Sequence, residues 1–318
     1  VFDPRGKINV AVDEKGHQHN LEYAAHLARM GEKSTAIDQK TMREISGSEY
    51  YVSGLHTPGA IMLQPAGYVR AFAAGLTETG AAEIYENSPV VEMSREGDVW
   101  TVKTPKGSVL VPQVILAVNG HIQSFGFYQR RLMHVFLYAS FTRPLTVAEA
   151  KLAGGDVWEF VPADPMGSTM RRIESKDGPR ILTRNKFVYS PSVEMSDESI
   201  QRAAGDHDKA FVARFPQLKH VEMEHRWGGR LCLSWNSDPV FGEVARGVYA
   251  AVCQNGLGAS HGTLSGMLAA DFATGRENQY IEMYLNAPEP PRLPPEPLSQ
   301  IGATVYLNWK EWRAGREK

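Results

Sequence analysis

Apolar positions along this chain change their spacing several times, and each change marks a new kind of element. In "HNLEYAAHLARMG" and "IDQKTMREISG" polar residues cover most of a helical surface, so residues 13 to 50 are expected to be helical. Asp38 stands where an N-cap acceptor is needed, and Gly31 and Gly47 where a helix stops. A further helix has Pro65 in its first turn and an apolar stripe at Tyr68, Val69, Phe72 and Leu76. Short strands follow in "AEIYE", "SPVVEMSRE", "VWTVKT" and "SVLVPQ", divided by turn signals at Gly97-Asp98 and Pro105-Lys106-Gly107.

Two runs, "VILAVNG" and "VYAAVCQNG", are almost wholly apolar, the texture of parallel strands covered on both faces. Between them lie the strand-like "HVFLYASFT", "DVWEFVPA", "GSTMRRIE" and "RILTRNKFVY", then a helix over Asp197 to Arg214 capped by Ser196 and closed before Pro216. After the second run, Leu264, Met267, Leu268 and Phe272 share one helical face and Gly275 ends it. "NAPEPPRLPPEP" is a proline-rich connector, and the tail from Leu298 reads as an amphipathic helix on Val305, Trp309 and Trp312. The fold class implied is α/β, a parallel sheet with a strand-rich, mixed-sheet second domain woven into it.

Composition adds mainly exclusions. The 318 residues are 42% hydrophobic, enough for a sizeable core, and a net charge of -2 gives no electrostatic reason to expect nucleic acid. Two cysteines, Cys232 and Cys253, form no CxxC pair and fit a reducing, cytoplasmic setting. No apolar run has the length of a membrane span, and no signal-peptide pattern is read in these residues, so a membrane or secreted setting is not expected. The opening "VFDPRGKINVAV" lacks methionine and reads as the middle of something, so a piece of a longer chain is expected. His17 and His19 are close in sequence but have no further ligands near them, so no metal site is expected.

Chemistry concentrates in "CQNGLGASHGTLSG". Gly256, Gly258 and Gly262 are spaced one residue wider than the dinucleotide fingerprint, and no second strand with a terminal acid follows. A nicotinamide-dependent dehydrogenase is therefore disfavoured. Two readings remain: a tight turn with close helix packing, or a helix N-terminus whose free N–H groups stabilise an anion or an electron-rich carbonyl.

This strand-turn-helix resembles the last one of the D-amino-acid-oxidase-like superfamily of FAD-dependent oxidoreductases. "GAIMLQPAGYVRAFAAGL", the meander ending in "VILAVNG", and "RWGGRLCLSWNSDPVFGEV" are similar to that family's segments in the same order, over roughly residues 50 to 275. The subgroup resembled is the γ-glutamylputrescine-oxidase-like branch, near the sarcosine and pipecolate oxidases. The resemblance implies an FAD/NAD(P)-type sheet, incomplete because the family's N-terminal ADP-binding βαβ unit is not seen. It divides the chain into a helical cap or substrate-side segment over residues 1–60, flavin-binding parts over 61–120 and 228–285, a substrate domain over 121–227, and a connector with tail helix over 286–318.

By the same resemblance Asn255, Gly256, Leu257, Gly258 and Ala259 line the flavin ring, with Ser260 and His261 opening the helix. Val90 matches a position that touches adenine. Asn119 and Gly120 end a parallel strand at its ligand-binding edge, and Gly228 and Gly229 approach the flavin or form a bulge. Cys232 falls about one residue from the position of a covalent flavin tether. A substrate carboxylate calls for arginine and a tyrosine hydroxyl, for which Arg171, Arg172, Arg184 and Tyr189 are candidates, with Tyr51 and His56 behind them. The function implied is oxidation of a C–N bond of a small amine or amino acid with FAD, in a possible homo-oligomer. The alternative is a flavin-free module that needs a partner chain.

Overall fold

A computed structural model describes residues 2–191 and 194–318. In chain order its strands are β1 (Phe2–Asp3), β2 (Lys7–Ala11), β3 (Thr35–Asp38), β4 (Ser53–Thr57), β5 (Met62–Leu63), β6 (Glu92–Glu96), β7 (Val99–Thr104) and β8 (Gly107–Val111). Then come β9 (Val114–Leu116), β10 (Leu132–Thr142), β11 (Trp158–Pro162), β12 (Thr169–Ser175), β13 (Gly178–Tyr189), β14 (Met223–Ser234), β15 (Val240–Ala245) and β16 (Val248–Val252). The α-helices are α1 (Glu14–Arg29), α2 (Gln39–Ser46), α3 (Pro65–Glu78), α4 (Val147–Leu152), α5 (Asp197–Arg214), α6 (Gly258–Ala273), α7 (Gln279–Leu285) and α8 (Leu298–Ala314).

The chain divides into two units, one of Val1–Gln64, Phe136–Gly229 and Gly302–Lys318, the other of Pro65–Val135 and Arg230–Ile301. The expectation of a helical cap over the first 60 residues is corrected: β2, β3 and β4 lie in a mixed eight-stranded sheet of order β14-β10-β13-β12-β11-β2-β4-β3. Helix does form on either side of β3, with Asp38 capping α2 and Gly47 ending it in the left-handed region. The four-residue "TAID" is too short to show its alternation, but pairing with β4 from Thr35↔His56 to Asp38↔Ser53 holds it extended.

Strand alternation gives the first unit two chemically different faces. On one, Trp158, Phe160, Met170 and Ile181 join Phe211 and Phe215 beside α5 in the main core. Trp158 stacks on Phe160 at 4.3 Å and on Phe215 at 5.8 Å between ring centroids. The other face of the same strands carries Glu159, Thr169, Arg171 and Arg184, as the register Glu159↔Arg171 and Thr169↔Arg184 requires.

The second unit pairs β16 with β9 in parallel, Val248↔Val114 through Ala250↔Leu116, with β15 antiparallel on the far side of β16. The two apolar runs are thus the parallel pair that their composition predicts. A separate meander, β6-β7-β8, bears the turn signals at its hairpins. The apolar stripe of α3 is not buried: Val69 and Phe72 are 62% and 60% exposed, and no residue of α3 is buried. The stripe expected on α8 is likewise exposed at Val305, Trp309 and Trp312.

What fixes the chain's tail in the first unit is polar. Glu311 accepts from Lys186 Nζ at 2.7 Å, Lys318 Nζ at 2.8 Å and the Phe187 N–H at 3.1 Å. Buried Arg214 donates to the Glu317 carbonyl at 2.7 Å. The Glu317 carboxyl reaches the start of α1, accepting from the Val12 N–H at 3.3 Å beneath Gly16, where a Cβ would come within 2.6 Å of it. Burial pushes Glu317 up to about 7, against the pull of the Val12 N–H and Arg214, while Asp13 and Asp164 add to the rise. An acid raised in the folded state contributes stability below its unfolded pKa and loses it as pH rises through the folded value. The Glu317 contribution to stability is therefore expected to fall, by on the order of 2 kcal/mol, as pH rises from 4.5 to about 7, read as the difference between the protein and Glu317→Gln across that window. A constant difference refutes the assignment.

Candidate functional site

Parallel strands β9 and β16 end side by side, so the loops that follow them are neighbours. Both loops take the left-handed conformation at non-glycine residues: Asn119 at φ 49°, Cys253 at φ 60° and Asn255 at φ 49°, followed by Gly256 at φ 84°. Each such residue costs about 1–2 kcal/mol and persists only where its surroundings fix it. Here side-chain amides do so. Asn119 Oδ1 accepts from the Cys253 N–H at 3.0 Å. Asn255 Oδ1 accepts from the Ser234 N–H at 2.9 Å, and its Nδ2 donates to the carbonyls of Asp238 and Cys253, both at 3.1 Å.

The loop delivers the chain into α6 with Leu257 at the N-cap and no side chain capping the helix. The first-turn N–H groups lack intrahelical acceptors and carry the positive end of the helix dipole. Gly256, Leu257, Gly258, Ala259 and Ser260 are exposed, His261 is partly so, and a Cβ at Gly258 would meet nothing within 4 Å. This is a bare, backbone-lined surface with positive polarity, suited to an electron-rich planar group or an anion.

Beneath Asn119 the packing is tight. A Cβ at Gly120 would lie 2.3 Å from His134 Cε1 and 3.4 Å from Cys232 Sγ. His134 is buried, its Nε2 lying 3.1 Å from Gln123 Nε2, which places the acceptor on the imidazole. Burial, with the nearby charge of Arg230 and with His121, pushes its pKa down to about 4. Arg230 Nη2 in turn lies 2.7 Å from His121 Nε2. Cys232 is 2% exposed, and Cys253 and burial push its thiol well up. A cavity of about 570 Å³ beside this cluster is lined by Val90, Met93, Val118, His121, Ser124 and Phe125. Val90 and the residue before Asn119 thus share one concavity.

In the first unit the arginine candidates separate. Arg171 donates from Nε to Glu159 Oε1 at 2.8 Å, and Arg184 donates from Nη2 to Thr169 Oγ1 at 2.6 Å, on the same face. Burial and Arg171 push Arg184 down to about 10. Arg172 lies on the opposite, core face, between Trp158 and Ile181 in register. Tyr189 ends β13, half-buried. Tyr51 is corrected to a core residue: it is fully buried, its ring edge-on to Phe160 at 5.1 Å, and burial pushes its hydroxyl up to about 12. His56 bonds the Arg5 carbonyl at 2.8 Å. Gly228 is tight against protein, since a Cβ there would clash with Met195 and approach Tyr138 at 3.1 Å, whereas Gly229 is open.

The sequence reading missed His134, His121, Arg230 and Glu159. Only His134 left a signal, as the lone polar residue in the apolar "LMHVF". Among the described residues no cluster of metal-ligating side chains is present, and His17 bonds Ser53 Oγ at 2.8 Å. No helix among them is long and apolar enough to cross a membrane.

The FAD dependent oxidoreductase (DAO) family model matches residues 1–272. Probable oxidoreductase OrdL of Haemophilus influenzae is 27% identical over 248 residues, 76% of this chain and 54% of that protein. Gamma-glutamylputrescine oxidoreductase of Escherichia coli is 23% identical over 317 residues, 95% of this chain and 70% of that one. Among solved structures, glycine oxidase from Geobacillus kaustophilus aligns with a TM-score of 0.76 at 15% identity, covering 92% of this chain and 76% of its own. L-proline dehydrogenase from P. horikoshii aligns at 0.70 and 17% identity, covering 89% and 76%. The likeness to these structures is one of fold, and the chain spans about half the length of the OrdL relative.

Two outcomes check the cluster under the loop. Because His134 is held neutral, the unfolded chain binds a proton that the folded one refuses between pH 6.5 and 4, so the His134 contribution to stability is lost with acidification across that window, opposite in sign to that of Glu317. Relative to the unchanged protein, His134→Gln should gain stability in urea-unfolding curves as pH falls through that window; a difference that does not move with pH refutes it. Gly120→Ala should cost about 1–3 kcal/mol by overpacking against His134, read as a fall in the urea midpoint.

Proposed function

Since the chain belongs to the FAD dependent oxidoreductase (DAO) family, we propose that the whole protein oxidises the C–N bond of a small amine or amino acid. The observation that carries this reading is the uncapped, glycine-lined N-terminus of α6, fixed by Asn255 and Asn119. That surface fits the flavin of FAD: it offers unused N–H donors, and no Cβ at Gly256 or Gly258 blocks approach. When bound, FAD would supply the acceptor for the hydride, and with it the two electrons, leaving the carbon next to nitrogen.

This chain's own residues would divide the remaining work. The N–H groups of Gly258, Ala259 and Ser260 hold negative charge that grows during reduction. The cavity at Val90, Val118 and Phe125 takes an apolar, planar part of the cofactor. Arg184 and Arg171, on the polar face of β12 and β13, hold a substrate carboxylate, with Tyr189 as a third candidate donor. Glu159 orients Arg171 through its ion pair. Positioning and exclusion of water are the protein's part of such chemistry, and no nearby general base is required. Relatives named for glycine and γ-glutamylputrescine favour a primary or secondary amine as donor.

A second reading, in which the chain works only with a partner polypeptide, is favoured by one observation. Strand β9 is an edge of its sheet, and in the same unit α3 leaves Val69 and Phe72 exposed.

The test is a titration of the purified chain with FAD, followed anaerobically by a panel of amines and amino acids. The first reading expects a bound flavin spectrum that bleaches with at least one of them. A bound flavin that none of them bleaches sinks the proposed reaction, and no uptake without a second chain moves the case to the second reading. Where activity is found, Arg184→Met is expected to raise KM for an amino acid about 10- to 100-fold, as loss of a charge-assisted bond of about 1.5–3 kcal/mol implies.

A further inference from the structure

Arg172 is left in an unusual position by the register of β12. It sits on the face that buries Trp158, Phe160 and Ile181, and is itself only 4% exposed. Its Nε and Nη1 have no hydrogen-bond partner. Its Nη2 lies 3.7 Å from the carboxylate of Glu174, whose own side chain is 59% exposed. Asp156 is close enough to feel the guanidinium, but its pKa is lowered first by the Val157 N–H and by Arg5, and only in smaller part by Arg172. A buried guanidinium with unmet donors and weak counter-charge costs several kcal/mol. Such a group calls for an oxygen acceptor that the protein does not itself provide.

The structure offers the space for one. Arg172 lines a cavity of about 440 Å³ bounded by α4 and the turn between β12 and β13. Its apolar wall is Leu145, Val147, Ala150 and Pro179, and Lys151 and Asp177 stand at the polar side. Arg171 and Arg184 project from the other face of the sheet, so this is a different site from the substrate face described above.

We propose that this cavity binds a small organic carboxylate, with Arg172 as the anchor, Lys151 at the rim and the apolar wall covering the ligand's hydrocarbon part. Charge balance selects a carboxylate over a phosphate. Among the lining residues Arg172 and Lys151 supply two positive charges and Asp177 returns one negative charge, so a single negative charge is balanced where a dianion leaves an excess. Asp177 also offers an acceptor to a ligand with a distal ammonium.

The test is isothermal titration of the purified chain with hexanoate and with 6-aminohexanoate, with inorganic phosphate as the competing anion and chloride holding ionic strength constant. Saturable binding of at least one carboxylate is expected, weakened at least tenfold in Arg172→Met and about threefold in Lys151→Gln. Arg184→Met should leave it unchanged, which separates this cavity from the substrate face. No saturation by either carboxylate, saturation by phosphate alone, unchanged affinity in Arg172→Met, or loss in Arg184→Met each overturns the proposal. Should Arg172→Met fail to fold, unchanged affinity in Lys151→Gln overturns it.

Discussion

The hydrogen bond from the Cys253 N–H to Asn119 Oδ1 ties together two loops that leave neighbouring parallel strands at the same end. Around it the chain holds three non-glycine residues in a backbone region they ordinarily avoid. Without side-chain amides to take up the turned N–H and carbonyl groups, those loops would relax. The first turn of α6 would then lose its fixed direction. The bareness of that helix end is local in origin: Leu257 stands at the N-cap, where its side chain has no oxygen to offer the first-turn N–H groups.

A second constraint runs through the larger sheet. With one face devoted to aromatic packing and the other to Glu159, Arg171, Thr169 and Arg184, each strand must be apolar and charged at alternate positions. The tail adds its own polar clamp, in which Glu311, Arg214 and Glu317 bind backbone and lysine donors rather than apolar surface. This is why the apolar stripe of α8 stays exposed although the helix's last turns are anchored.

Much of this was legible in the residues alone. Asp38, Gly47 and Ser196 mark helix ends because caps and stops are local chemistry, and the bounds of α5 follow from them. The two apolar runs announced their parallel pairing through their near-complete lack of polar residues, although Ile115 on β9 is left 41% exposed. Sequence could not show that residues 35–38 pair with β4, since that pairing is non-local and the segment is too short to display a period. Nor could it sort Arg171 from Arg172, because which of two adjacent arginines faces the core depends on register with β11 and β13. His134 and Arg230 escaped because their environment comes from residues far away in the chain. For Tyr51, an aromatic hydroxyl suits a ligand and a core equally, and only packing against Phe160 decides.

The adjacency of Arg171 and Arg172 carries a consequence for how this sequence can vary. Substitutions at either position alter one face of the sheet and leave the other intact. Loss or gain of a single residue within β12 would exchange the two arginines and every neighbour with them, driving Arg171 among Trp158 and Ile181 and turning Met170 outward. Lineages carrying this sheet should therefore keep the length of β12 fixed, with length changes confined to the turn at Lys176 and Asp177.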